Sequence, residues 1–367
     1  MEDSSVPREV DAIVTDIPRF TEMAEPVRRY MTPTMAPFRV PRLNLILFLL
    51  TMLTTTAAGA YTAGADLSLY HPIAGLPNLS AGLSFSIPLM LILLAHEMGH
   101  YLTSRYYRVD ASLPYFIPAF FPLPIQLGTF GAFIRMRSLP RTRRAMFDIG
   151  AAGPWAGFVV ACIAIAIGLK WSQVTPLDTT QGGLELGNSI TFWTVARWIL
   201  GVDPNTVSVN LHPTAFAGWV GILVTALNLL PVGQLDGGHV VYSLFGPRWH
   251  RLVSRLVWIS CLLMVVVPRL FQLDYWPGWI LWFFLVLLLG LGHPSTTDVN
   301  TPLIGGRRIA AWATVLLFVV TFTPVPFSFT PPKEIPPANE APSYSVRYDV
   351  PAQWGELPSP GNLAAID

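Results

Sequence analysis

Apolar residues along this chain gather into seven runs, at about 44–62, 84–104, 145–169, 213–245, 255–273, 277–292 and 309–326. A helix needs roughly 20 apolar residues to cross the hydrocarbon core of a bilayer. The pattern therefore predicts about seven transmembrane helices. The fourth run is too long for one crossing and is interrupted at Pro231 and Gly233, which predicts a broken helix. Such a break is tolerated in a membrane only where the freed backbone groups line protein or a wet cavity. A further apolar stretch, FPLPIQLGTFGAFIRM at 121–136, carries prolines and glycines that would spoil a spanning helix. It predicts a re-entrant loop or small β-hairpin embedded in the membrane.

Composition agrees. The chain is 52% hydrophobic and 12% charged, against about 25% charged in an ordinary soluble domain. The fold class expected is an all-α polytopic membrane protein with one small membrane-embedded β element. Three regions are expected: a cytoplasmic N-terminal segment at 1–43, a transmembrane domain at 44–326, and a proline-rich disordered tail at 327–367. The first twenty residues are acidic and lack an apolar run, so they are read as neither a secretory signal nor a transit peptide. Cys162 and Cys261 lie within apolar runs and are read as packing residues.

Net charge is +1, which gives no sign of a nucleic-acid partner; the lipid bilayer is the partner that the composition implies. Where the arginines lie is more informative. Arg28, Arg29, Arg39 and Arg42 precede the first run, and seven arginines from Arg105 to Arg144 lie between the second and third or at the edge of the third. Arg248, Arg251 and Arg255 follow the fourth run, whereas the stretches 63–83 and 170–212 carry only Lys170 and Arg197. By the positive-inside rule the N-terminus is cytoplasmic and those two stretches are outward loops. The location expected is a bacterial plasma membrane.

Inside the second run stands LLAHEMGHYL. His96 and His100 are four residues apart, so on a helix both imidazoles share a face and can reach one metal ion. Glu97 stands beside them as a base for a water molecule. This is the HExxH arrangement of zinc hydrolases, and by composition it arises by chance in about one chain of this length in several hundred. Ionisable side chains within a membrane segment are costly and mark function. A catalytic zinc takes three protein ligands and keeps a position open. The third candidate is Asp236 in NLLPVGQLDGGH, at 228–239, which lies at a depth similar to the histidines when counted from the basic loops.

HEMGH followed by NLLPVGQLDGG resembles the site-2 protease family of intramembrane zinc metalloproteases, over a core at about 84–245. The resemblance implies that His96, His100 and Asp236 hold one Zn²⁺, that Glu97 is the general base, and that Asn228 holds the substrate backbone. It also implies that Gly128, Thr129, Phe130 and Gly131 lie against the substrate. Substrates would be single-span membrane proteins, cut within the bilayer in regulated intramembrane proteolysis. From the residues themselves, Gly150, Gly153 and Gly157 are read as helix-packing positions, His239 as standing behind the zinc ligands or, in preference, bonded to a carbonyl, and Asp148 as ion-paired with Arg143 or Arg144. A competing class is a non-proteolytic zinc-binding transporter or scaffold, in which polar groups would be staggered through the membrane; here they concentrate at one depth.

Overall fold

A computed structural model describes residues 40–63, 76–119, 127–176, 183–204, 206–294, 296, 298 and 301–330. In chain order its helices are α1 (Arg42–Thr62), α2 (Leu83–Tyr106), α3 (Arg143–Lys170), α4 (Ile190–Leu200), α5 (Pro213–Asn228), α6 (Asp236–Phe245), α7 (Pro247–Leu270), α8 (Gly278–Leu289) and α9 (Gly306–Thr321). The strands are β1 (Tyr115–Pro118), β2 (Thr129–Phe133), β3 (Gln173–Pro176), β4 (Gly183–Leu186), β5 (Val207–Asn210) and β6 (Phe327–Thr330). The chain divides into a main unit, 1–177 with 186–328, and a small unit, 178–185 with 329–367. Of the small unit only 183–185 and 329–330 are described.

Every apolar run becomes helix, but the runs differ in reach. Among the described residues four helices are long and apolar enough to cross a membrane: α1, α2 with the short 3₁₀ turn before it, α3 and α7. At 1.5 Å per residue the 16 residues of α5 and of α9 and the 12 of α8 span about 24 and 18 Å. The seven crossings expected from the runs are thus four by length.

The centre of the main unit is α2, α3 and α5. Phe85, Leu89 and Ile92 of α2 interlock with Ala161, Ala164 and Ile165 of α3 and with Ala217, Val220 and Ile222 of α5. Small residues set this spacing, as is usual where lipid supplies no hydrophobic drive between helices. On α2, a β-carbon at Gly99 would come 2.6 Å from the Ala152 carbonyl oxygen of α3.

The break in the fourth run is where the sequence puts it. Helix α5 stops at Asn228, and the chain turns through Pro231 and Gly233 (φ +55°) before Asp236 opens α6. The turn folds tightly over the start of α6: a β-carbon on Gly237 would sit 1.9 Å from the Leu229 carbonyl oxygen. The glycine pair after Asp236 therefore has a steric cause.

Other expectations change. The stretch 170–212 is not a plain loop: β3 pairs antiparallel with β5, Gln173 opposite Asn210, and α4 is capped by the Ser189 hydroxyl and ended by Gly201. The expected β element is a two-stranded antiparallel pair, but its first strand starts at Tyr115, ahead of the stretch 121–136. Tyr115 faces Phe133 and Pro118 faces Thr129, with an irregularity between Phe116 and Pro118. Of the expected disordered tail, 327–330 is strand β6. Residues 331–367, most of the N-terminal segment 1–43, and 120–126 of the β element lie outside the described residues.

Candidate metal centre

Helix α2 carries His96, Glu97 and His100, all buried, and the first residue of α6 supplies Asp236. The spacing of four residues puts both imidazoles on the α2 face that meets α3 and α6. His96 Nε2 is 3.1 Å from His100 Nε2, and each nitrogen is 3.3 Å from Asp236 Oδ2. Among the described residues this is the one cluster of three metal-ligating side chains.

The cluster fits zinc. Donors bound tetrahedrally at 2.0–2.1 Å stand about 3.3 Å from one another, which is the separation found between all three atoms. Two neutral imidazoles and one carboxylate also leave the ion a fourth position. His100 is already in the tautomer that a metal requires: its Nδ1–H donates to the Ile149 carbonyl oxygen at 2.8 Å, which leaves Nε2 with a lone pair toward the cluster. Asn228, the last residue of α5, brings its Nδ2 within 3.3 Å of His96 Nε2. The main-chain N–H of Ile134, just after β2, lies against the Glu97 carboxylate.

Helix α3 shapes the space around the histidines. A β-carbon on Gly150 would lie 2.7 Å from His239 Cβ, one on Gly153 would lie 2.0 Å from His100 Nε2, and one on Gly157 would lie 3.2 Å from His96 Nδ1. The three glycines read in the sequence as helix-packing positions thus each clear one imidazole. At the end of α6, the buried Arg143 of α3 donates through Nε and Nη2 to the Ser243 carbonyl oxygen, at 3.0 and 2.6 Å. A cation there complements the helix C-terminus, and α6 carries Asp236 at its other end.

The β element hangs from α1. Asn44 Nδ2 donates to the carbonyl oxygens of Leu113 and Pro114, and the Thr54 hydroxyl donates to that of Gly128. Gly128 has φ +71° and a β-carbon there would lie 2.3 Å from the Thr54 carbonyl oxygen, so α1 packing accounts for this glycine. Thr129 turns its hydroxyl inward to the Ile117 carbonyl oxygen and accepts from the Gly131 N–H. Phe130 is 58% exposed, and nothing lies within 4 Å of a β-carbon built on Gly131. Of the four residues read as facing substrate, these two have open surroundings.

Two further readings are corrected. Asp148 pairs with Arg307 of α9, at 3.0 Å, and with the Tyr107 hydroxyl, instead of with Arg143 or Arg144. Arg143 is turned to α6, and Arg307 comes from 159 residues away in sequence. His239 bonds His293 Nε2 through its Nδ1, at 2.6 Å, and not a carbonyl. Ile134, His293, Asn44 and Thr54 were not singled out by sequence, because their contributions are backbone groups or contacts between distant segments.

Residues 84–267, half of the chain, match the family model described as Peptidase family M50. The chain belongs to that family, the site-2 protease family. The match runs from α2 into α7 and so contains the whole His96, His100 and Asp236 cluster with Glu97. Among curated proteins, the M50 member here is 36% identical over 181 residues to "Probable zinc metalloprotease EGY1, chloroplastic" of Oryza sativa subsp. japonica, covering 47% of this chain and 29% of that protein. It is 36% identical over 191 residues to the protein of the same name in Arabidopsis thaliana, covering 49% and 32%. With "Probable zinc metalloprotease EGY2, chloroplastic" of Arabidopsis thaliana it shares 27% identity over 256 residues, covering 69% and 43%. The chain thus spans less than half the length of these relatives. They are named chloroplastic, which conflicts with the bacterial plasma membrane expected from the sequence; the four long apolar helices and the family support a membrane protein.

Proposed function

We propose that this M50 member is an intramembrane zinc endopeptidase that hydrolyses peptide bonds within transmembrane segments of single-span membrane proteins. The observation that carries the reading is the set of three donors, His96 Nε2, His100 Nε2 and Asp236 Oδ2, at 3.1–3.3 Å from one another with Glu97 next in sequence. Held by His96, His100 and Asp236, a zinc ion would supply Lewis acidity to the scissile carbonyl and to a water molecule. Glu97 takes a proton from the attacking water on a carboxylate oxygen and hands it to the departing amine nitrogen. Ile134 N–H steadies that carboxylate, and no covalent enzyme intermediate is involved. Asn228, beside the cluster, is suited to hold a substrate backbone group.

A transmembrane helix has its amides and carbonyls bonded internally, so the bond to be cut has to be unwound first. Strand β2 ends beside Glu97 and offers an extended partner, with Phe130 and Gly131 on accessible ground. The pairing supports cleavage in the half of the bilayer nearest the arginine-rich stretches, which the positive-inside rule assigns to the cytoplasmic side together with the N-terminus. In this reading α8, α9 and the pair α5–α6 complete seven crossings with the four long helices, the shorter ones reaching the surface through their flanking segments. The regulated release of membrane-held proteins follows as the role.

The test is a full-length protein in lipid with a tagged single-span substrate. Wild type releases a fragment and Glu97→Gln does not. Continued release by Glu97→Gln would remove Glu97 as the base, and no release by wild type would favour the non-proteolytic transporter or scaffold class.

A further inference from the structure

Beyond the metal ligands, three imidazoles and a phenol converge below α6, and one of them comes from outside the region shared with the family. His293 lies in the segment joining α8 to α9, past residue 267. Its ring stacks on Tyr242 of α6 with centroids 4.2 Å apart and planes 15° apart. It meets His239 of α6 and His250 of α7 edge to face, at 4.8 and 5.0 Å. One ring thus touches two helices at three side chains.

The hydrogen bonds give this contact a direction. A carbonyl oxygen only accepts, so the 2.7 Å contact to Pro294 O puts a proton on His293 Nδ1. His293 Nε2 is then an acceptor, and His239 Nδ1–H donates to it at 2.6 Å. The same reasoning puts a proton on His250 Nε2, which donates to the Gly233 carbonyl oxygen at 2.9 Å, while Gly233 N–H donates to Ser254 of α7. Gly233 belongs to the turn that delivers Asp236. Three residues past His293, Thr296 N–H donates to the Tyr242 hydroxyl, and Asp298 N–H donates to the Arg141 carbonyl oxygen. Helix α6 is therefore held from the turn before it by His250 and Ser254, and from its underside by the linker through His293 and Thr296. The α6 face so held is the one that presents His239 to Gly150, next to Ile149 whose carbonyl fixes His100.

We propose that His293 is a positioning residue for the zinc site: by fixing His239 and wedging against Tyr242 and His250, it sets the placement of α6 and so of the Asp236 carboxylate. The linker after α8 is in this way part of the metal centre, although it supplies no ligand. The inference rests on the reading of His96, His100 and Asp236 as zinc ligands.

The test measures metal affinity, apart from proteolysis, on the full-length protein in lipid nanodiscs. Zinc Kd is obtained by competition with a chromophoric chelator, and Co²⁺-loaded protein gives a ligand-field spectrum that reports coordination geometry. His293→Ala and His239→Ala are each expected to raise Kd about tenfold, the low end for outer partners of metal ligands, and to alter the Co²⁺ spectrum. The double variant is expected to match the singles, since the two residues act as one unit. His293→Gln, whose side-chain oxygen still accepts from His239, is expected to recover most of the affinity. A Kd within twofold of wild type in His293→Ala, with an unchanged Co²⁺ spectrum, overturns the proposal, even if the metal-free variant melts at lower temperature. Wild-type protein that fails to bind zinc overturns the site itself, a result distinguishable because it appears before any variant is made.

Discussion

The Nε2 atom of His100 lies 2.0 Å from where a β-carbon on Gly153 would be. A proposed metal ligand on α2 thus occupies the space of a missing side chain on α3, and the two helices cannot approach this way with any other residue there. Gly153→Ala is expected to leave the protein helical and to lose zinc. At Gly157 the nearest imidazole atom is 3.2 Å from the added carbon, so Gly157→Ala is expected to keep zinc with a modest penalty, on the order of the 1–3 kcal/mol of an overpacked core. Zinc content per chain after purification, beside circular dichroism, checks both; equal behaviour of the two variants would refute the clearance argument.

Glu97→Gln is expected to retain one zinc per chain and to lower kcat by about 10²–10⁴-fold, the usual contribution of a general base. The ligands and the base are different side chains, so metal content and turnover separate. Loss of zinc in this variant would assign Glu97 to the metal instead. His96→Ala with Asp236→Ala is expected to abolish zinc binding.

Removing the suspension of the β element acts elsewhere. Asn44→Leu deletes two hydrogen bonds to the segment entering β1, and Thr54→Val deletes the one to Gly128. Each lost bond costs on the order of 1 kcal/mol, and the zinc cluster is untouched. Both variants should hold zinc with wild-type affinity and cut substrate more slowly, chiefly through a raised KM. A normal KM would separate β2 from substrate binding.

Orientation is testable in a chain with Cys162 and Cys261 replaced by Ala. Ser138→Cys in the arginine-rich stretch is expected to resist an impermeant thiol reagent on intact cells, and Thr206→Cys to be labelled. The reverse pattern would invert the arrangement of arginines relative to the membrane that supports it.

For substrates, a span containing Gly, Pro, Asn or Ser near the cut is expected to be cleaved faster than the same span with those residues changed to Leu. Release rates at matched expression decide it. Equal rates would show that unwinding does not limit the reaction.

Much of the site was legible because its chemistry is local. HEMGH offers two candidate ligands and a candidate base within five residues, and LDGG offers a candidate carboxylate at a helix start after a break. The first three apolar runs fall within two residues of α1, α2 and α3 at either end, since a run of Leu, Ile, Val and Phe has no other way to satisfy its backbone in lipid, whereas α7 begins eight residues ahead of its run. Short polar-apolar mixtures were less informative: ITFWTVARWIL became α4 where a loop was expected, and Tyr115 to Pro118 became the first strand of the β element. The glycines of α3 were read as generic packing because sequence does not say which residue faces a glycine. His293 and Arg307 act across more than 50 residues of chain, and no spacing rule reaches that far.

The suspension of β1 and β2 from α1 has a consequence for where the proposed working unit ends. A fragment trimmed to the matched region, 84–267, would keep His96, Glu97, His100, Asn228 and Asp236. It would lose Asn44 and Thr54 on one side and His293 on the other. Such a fragment would carry the proposed reactive groups without the contacts that hold them, so in the proposed reading the working unit extends past the matched region in both directions.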